Sequence, residues 1–225
     1  MKKIVFILMA MLMAVIPSTA QNYKHSKYYN QKTGHLDYGF NNKGVDTYYG
    51  IRIGPGFSYI TSDDSRLDGG DWQTGLNVGV VAGFPLTYSD PLYLETGLYY
   101  IEKGGKKSLG GGKKMTYDLN YLEIPVVVKY KYEIDDDLTI EPFAGGYFAA
   151  GVGGKIKNFA EREAQSSFRS NNFRRLDGGL RIGCGIGYDM FYADLTYDLG
   201  LANICHDDFD KARNRAVMLN FGVNF

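Results

Sequence analysis

The last eleven residues leave the chain few choices of conformation. Arg215 to Phe225 reads R-A-V-M-L-N-F-G-V-N-F, with Val217, Leu219, Phe221, Val223 and Phe225 at every second position. Met218, Asn220, Gly222 and Asn224 fill the alternate ones. Successive side chains of a β-strand point to opposite faces, so this run predicts a strand that is apolar on one side and small or polar on the other.

The same pattern recurs in seven earlier segments: 48–60, 74–86, 92–103, 115–132, 138–152, 178–188 and 190–199. The clearest sets Leu180, Ile182, Cys184 and Ile186 against Gly179, Arg181, Gly183, Gly185 and Gly187. Connection lengths carry separate information. Long connectors (61–73, 104–114, 153–177 and 200–214) alternate with short ones (87–91, 133–137 and 188–190). Short turns at one end and long loops at the other characterise a transmembrane barrel with both termini in the periplasm. The prediction is an all-β, eight-stranded antiparallel up-and-down barrel in the outer membrane, spanning residues 47–225.

The amino terminus agrees with export. Lys2 and Lys3 precede an apolar run from Ile4 to Ile16, and Pro17 to Ala20 supply small residues before Gln21. That is the pattern of a cleaved signal peptide over residues 1–20, its apolar run short of the roughly 20 residues a membrane-spanning helix needs. Residues 21–46 are polar and rich in Tyr and Asn, and read as a periplasmic extension. Discounting Lys2 and Lys3 leaves 23 basic against 25 acidic residues, a balance that gives no case for nucleic acid.

The composition of the polar face decides which face meets lipid. The chain holds 29 glycines, and on this face they mix with a few charges: Arg52, Glu95, Glu123, Lys129, Glu141, Arg181, Asp194 and Asp198. An eight-stranded barrel has an interior just wide enough for side chains, so glycines and mutually paired charges suit it. Buried charges persist when they pair and hydrogen-bond, and these eight residues are expected to form an interior network. Phe57, Tyr59, Tyr88, Tyr100, Tyr130, Tyr188, Phe191 and Phe225 are placed for the aromatic girdles at the two membrane boundaries. Phe225 is also the expected assembly signal for barrel-assembly machinery. A soluble ligand-binding barrel, apolar inside, is the alternative that alternation alone does not separate.

Other residues constrain the chain less. Pro55, Pro85, Pro125 and Pro142 fall in or near strands, delete ladder hydrogen bonds, and predict bulges or bends. Cys184 and Cys205 are assigned to opposite ends of the barrel, which favours two thiols over a disulfide. Gly104–Lys114 reads as a flexible, solvated surface loop, with contact of its lysines to lipopolysaccharide as the alternative. Asn158–Arg175, with Arg162, Arg169, Arg174 and Arg175, is the expected contact for a protein partner or lipid headgroups.

No catalytic, cofactor or metal constellation emerges. His25 and His35 precede the barrel, and His206 beside Asp207 and Asp208 has only Ser166 or Ser167 as a conceivable nucleophile. Asp207, Asp208 and Asp210 lack the glycine and terminal glutamate of a calcium loop.

Tyr121-Leu122-Glu123-Ile124-Pro125-Val126, Gly50-Ile51-Arg52-Ile53-Gly54 and Leu94-Glu95-Thr96-Gly97-Leu98-Tyr99-Tyr100 resemble the PorT-like outer-membrane barrels of Bacteroidetes-type bacteria over about residues 48–225. The resemblance implies a small outer-membrane barrel without shared catalytic residues, and its founding member is similar to an accessory component of a protein secretion system. The expected role is therefore non-enzymatic: an accessory or scaffold at the envelope, in contact with outer-membrane lipid, lipopolysaccharide and envelope proteins. A surface lipid hydrolase or protease is the alternative.

Overall fold

A computed structural model describes residues 47–62, 71–87, 90–108, 114–135, 137–157, 165–168, 173–205 and 211–225. The predicted signal peptide and the 21–46 extension lie outside them, as do Tyr88 and all three histidines.

Eight long strands form the wall: β1 Tyr48–Ser62, β2 Gln73–Pro85, β3 Leu92–Ser108, β4 Lys114–Tyr130, β6 Leu138–Gly153, β9 Leu176–Tyr188, β10 Phe191–Gly200 and β11 Ala212–Asn224. Three short strands accompany them: β5 Tyr132–Asp135, β7 Lys155–Lys157 and β8 Gln165–Ser166. Each wall strand pairs antiparallel with its neighbours, and β11 returns to β1 with Gly50 opposite Asn224 and Ile60 opposite Asn214. Closure leaves the wall no free edge within the membrane, which is what lipid, offering no hydrogen bonds, requires.

Period-two burial runs through every wall strand. In β1 the even positions Tyr48, Arg52, Ser58 and Ile60 are buried, while Tyr49, Ile53 and Phe57 are exposed. The exposed side chains are those that the sequence assigns to lipid: Leu180, Ile182 and Ile186 on β9, Leu219 and Phe221 on β11, Ile124, Val126 and Val128 on β4. Phe148 and Leu176 are 73% and 74% exposed, values that fit a hydrocarbon surround and would be costly in water. The interior is polar at the same level. That excludes the soluble-barrel alternative, whose apolar face would have to point inwards.

Several details differ from the sequence reading. The described residues of the predicted loop 104–114 are strand, because Gly104–Ser108 pair with Lys114–Asp118 and lengthen the β3–β4 hairpin. Glycine content suggested a loop, yet here glycine makes room: a Cβ on Gly105 would run into the Tyr117 ring. Gly104 has φ 150°, a conformation that disfavours any other residue. The prolines do not create bulges. Register continues unshifted from Ile53–Phe221 to Gly56–Met218, skipping Gly54 and Pro55, and Pro55 keeps Leu76 as its partner on the other side. Each lost N–H thus interrupts pairing to one neighbour only. The register shifts lie instead at Asn120/Tyr121 and Glu133/Asp135. Cys184, facing outwards, and buried Cys205 form no disulfide.

Candidate functional site

Interior-facing parity brings charged residues from β1, β3, β4, β6, β9 and β10 into one narrow lumen. The eight charges named from the sequence are all on the inner wall, none more than 7% exposed. Seven of them, joined by Lys103, form groups at two depths.

The group nearer the periplasm is Arg52, Lys129, Glu95 and Glu141. Lys129 Nζ donates to Glu95 Oε2 at 2.8 Å and to the Tyr192 hydroxyl at 2.9 Å, and lies 3.4 Å from Glu141 Oε2. The Arg52 guanidinium stacks 3.9 Å from the Tyr192 ring centre and donates to Asn224 Oδ1 at 2.6 Å, with Glu95 at 4.0 Å. Tyr48 OH donates to Glu95 Oε2 at 2.5 Å. The second group, nearer the long loops, is Arg181, Glu123, Asp198 and Lys103. Arg181 grips Asp198 with two donors, at 2.7 and 2.8 Å, and also donates to Glu123. Lys103 Nζ donates to Glu123 at 2.7 Å and Asp198 at 3.0 Å, beneath the Tyr147 ring. Each group holds two cations and two carboxylates, so each is formally neutral. Neutrality and dense hydrogen bonding are what make burial of eight charges tolerable, with Arg52 Nε and Glu141 Oε2 left, among the described residues, as buried atoms without a hydrogen bond.

Two further carboxylates have an amide as partner. Asp194 accepts from Thr196 Oγ1 at 2.6 Å and Asn220 Nδ2 at 2.7 Å, and Asp177 accepts from Asn214 Nδ2 at 2.7 Å. Alternation already set Asn220 on the polar face, while Lys103, Asp177, Tyr48 and Asn214 are interior residues that sequence reasoning missed. Lys103 shares the parity of Glu95 and could have been found from it. Asp177 sat just outside a segment begun at Gly178.

Glycines supply the remaining space. Cβ atoms added at Gly79, Gly183 and Gly185 would strike the rings of Tyr99, Phe143 and Tyr192, so each ring lies flat over a neighbouring strand's glycine.

Above the second group the lumen becomes apolar. Ile60, Met115, Tyr117, Leu119 and Ala212 from the wall meet Phe168, Phe173 and Ile204 from the loops, all buried. Backbone bonds hold the loop residues there: Phe173 N to Ser167 O at 3.0 Å and Arg174 N to Ile204 O at 2.8 Å. Ser167, one of the two conceivable nucleophiles, is fully buried and donates its hydroxyl to Asp118 O at 2.6 Å. Its proposed base, His206, lies outside the described residues with Asp207, Asp208 and Asp210. At the periplasmic mouth Lys131 Nζ lies 3.7 Å from the Tyr48 ring centre, and burial lowers its pKa. Among the described residues no cluster of three or more His, Cys, Asp or Glu side chains is placed to hold a metal.

A closed eight-stranded wall, apolar outside and charged within, defines a transmembrane β-barrel of the outer membrane, with short periplasmic turns and long extracellular loops. The chain belongs to the outer membrane protein beta-barrel domain family, whose model matches residues 20–206. Solved structures share the fold at low identity. Ail, the attachment invasion locus protein of Yersinia pestis, is 16% identical over 80% of this chain and 100% of its own, with TM-score 0.41. A major outer membrane protein from Thermus thermophilus is 15% identical over 80% and 100%, with TM-score 0.47. OprG from Pseudomonas aeruginosa is 14% identical over 79% and 95%, with TM-score 0.42. No curated protein matches the sequence.

Proposed function

We propose that this barrel is a non-enzymatic accessory or scaffold component of the cell envelope, serving protein secretion or surface assembly as the PorT-like resemblance implies. The observation that carries this reading is the filled lumen. Two neutral charge groups and an apolar cap occupy it from the periplasmic mouth to the loops, so the rims and the outer wall are the surfaces left for work. Contact with lipopolysaccharide belongs to the same reading, through the outer rim where Lys106, Lys157, Arg174 and Arg175 are placed.

An epitope tag within residues 158–164, gentle solubilisation of native outer membranes and identification of stoichiometric partners test the proposal. A defined set of secretion or envelope proteins supports it. Recovery of the barrel alone removes its main support.

A further inference from the structure

One inward row of the wall holds an acid with no counter-charge. Strand pairing sets Asp194 on β10 opposite Asn220 on β11, and Gly54 on β1 opposite Asn77 on β2. The β1–β11 register, running from Ile53–Phe221 to Gly56–Met218, puts Gly54 level with Asn220. Asp194, Asn220, Gly54 and Asn77 are therefore consecutive inward positions on four neighbouring strands, bounded by Gly185 on β9 and Ile101 on β3. A Cβ on Gly54 would collide with the Leu219 carbonyl oxygen, so no side chain from β1 separates the two amides.

The polar atoms of this row are short of partners. Asp194 Oδ1 accepts from Asn220 Nδ2 at 2.7 Å and from Thr196 Oγ1 at 2.6 Å. Asn220 Oδ1 and both side-chain polar atoms of Asn77 are buried with no hydrogen bond among the described residues. Asn77 is 0% exposed, a place where an unpaired amide is costly. Asp194 lies on β10 between Tyr192 of one charge group and Asp198 of the other. Those groups spend their cations on their own carboxylates, and among the described residues Asp194 makes no ion pair. It keeps 7% of its surface open to the lumen, so there is room beside it.

We infer that Asp194, Asn220 and Asn77 form a binding site for a small monovalent cation such as sodium. The ligands would all be oxygens, one carboxylate and two amide carbonyls, a set that suits hard cations rather than transition metals. A half-turn of its amide lets Asn77 present either polar atom, and Oδ1 is the one an ion takes. One carboxylate calls for one positive charge. A monovalent ion makes the row neutral like the groups on either side of it, whereas a divalent ion would leave a buried charge uncompensated. The unfolded chain does not bring the three ligands together, so the ion would bind and stabilise the folded barrel alone.

Reversible urea unfolding of the full chain in phospholipid vesicles provides the test, in sodium chloride against tetramethylammonium chloride at equal concentration. The folding equilibrium constant should rise saturably with sodium, by at least tenfold, and should not follow tetramethylammonium. Asp194→Asn and Asn77→Ala should each lose the sodium-specific rise, whatever either does to the baseline. Asp177→Asn, which removes the other acid outside the neutral groups, should keep it. Equilibrium dialysis against radioactive sodium should approach one ion per wild-type barrel and none for Asp194→Asn. Equal response to the two salts would mean ionic screening alone and would overturn the inference. A sodium response that survives Asp194→Asn, or one that is lost in Asp177→Asn, would overturn it too. Stability indifferent to the cation would mean that water or a proton satisfies the row, and the ion site would be wrong.

Discussion

Two stretches of the same wall solve opposite problems. At membrane depth β4 turns Leu122, Ile124, Val126 and Val128 outwards and Glu123 and Lys129 inwards. Eight residues earlier the order is reversed: Met115, Tyr117, Leu119 and Tyr121 are buried in the lumen while Thr116, Asp118 and Asn120 face out. β1 and β11 follow suit, with Ile60 and Ala212 inside and Thr61 and Arg213 exposed. The strands themselves need no change of geometry for this. Only the medium changes, from lipid to water, and with it the face on which apolar side chains are stable. β3 and β4 have 17 residues each, well beyond the roughly 9–11 that cross the hydrocarbon. The excess forms a short water-exposed barrel with an ordinary apolar core, seated on a membrane barrel with a charged one.

The comparison can be broken from either side. Arg181→Met leaves Glu123 and Asp198 sharing Lys103 alone. Stripping a partner from a buried network costs about 3–5 kcal/mol, which denaturant unfolding in lipid vesicles would read. Leu119→Ala, in the upper core, should cost about 3 kcal/mol by the usual penalty for a cavity. Its signature should also differ, with faster amide exchange concentrated in 165–168 and 173–176 and little change below Arg181. An outward arginine tests the reversal directly. Ile182→Arg should cost about 2–4 kcal/mol and Thr116→Arg under about 1; equal costs would mean that the two stretches share one surround. Gly185→Ala, which crowds the Tyr192 ring, should be the mildest of the interior changes, at about 1–2 kcal/mol for overpacking.

Strand number, parity and the short-long alternation of connectors were legible because each is a local property of the chain. Parity was enough to assign Arg52, Glu95 and Arg181 to one face, but not to say who meets whom. Lys103 joins Asp198 across 95 residues, and the pairing depends on closure and register, which no local pattern encodes. The reversal in β4 was present in the sequence as adjacent apolar residues, Tyr121-Leu122, where the alternation changes phase. It was read as one strand with one apolar face because a single surround was assumed. The docking of Phe168, Phe173 and Ile204 into the lumen was not legible, since loop residues carry no period to follow.

The change of phase has a consequence for how the protein sits. An apolar band of uniform height would let a barrel ride up or down in the bilayer at little cost. Here upward travel is checked at the periplasmic turns by their acidic residues, which would have to enter lipid. Downward travel is checked by Glu102, Asp118 and Arg213, which ring the upper boundary and would have to enter it from the other leaflet. The chain thus carries its own waterline, and any partner that reads either rim meets it at a fixed height above the membrane.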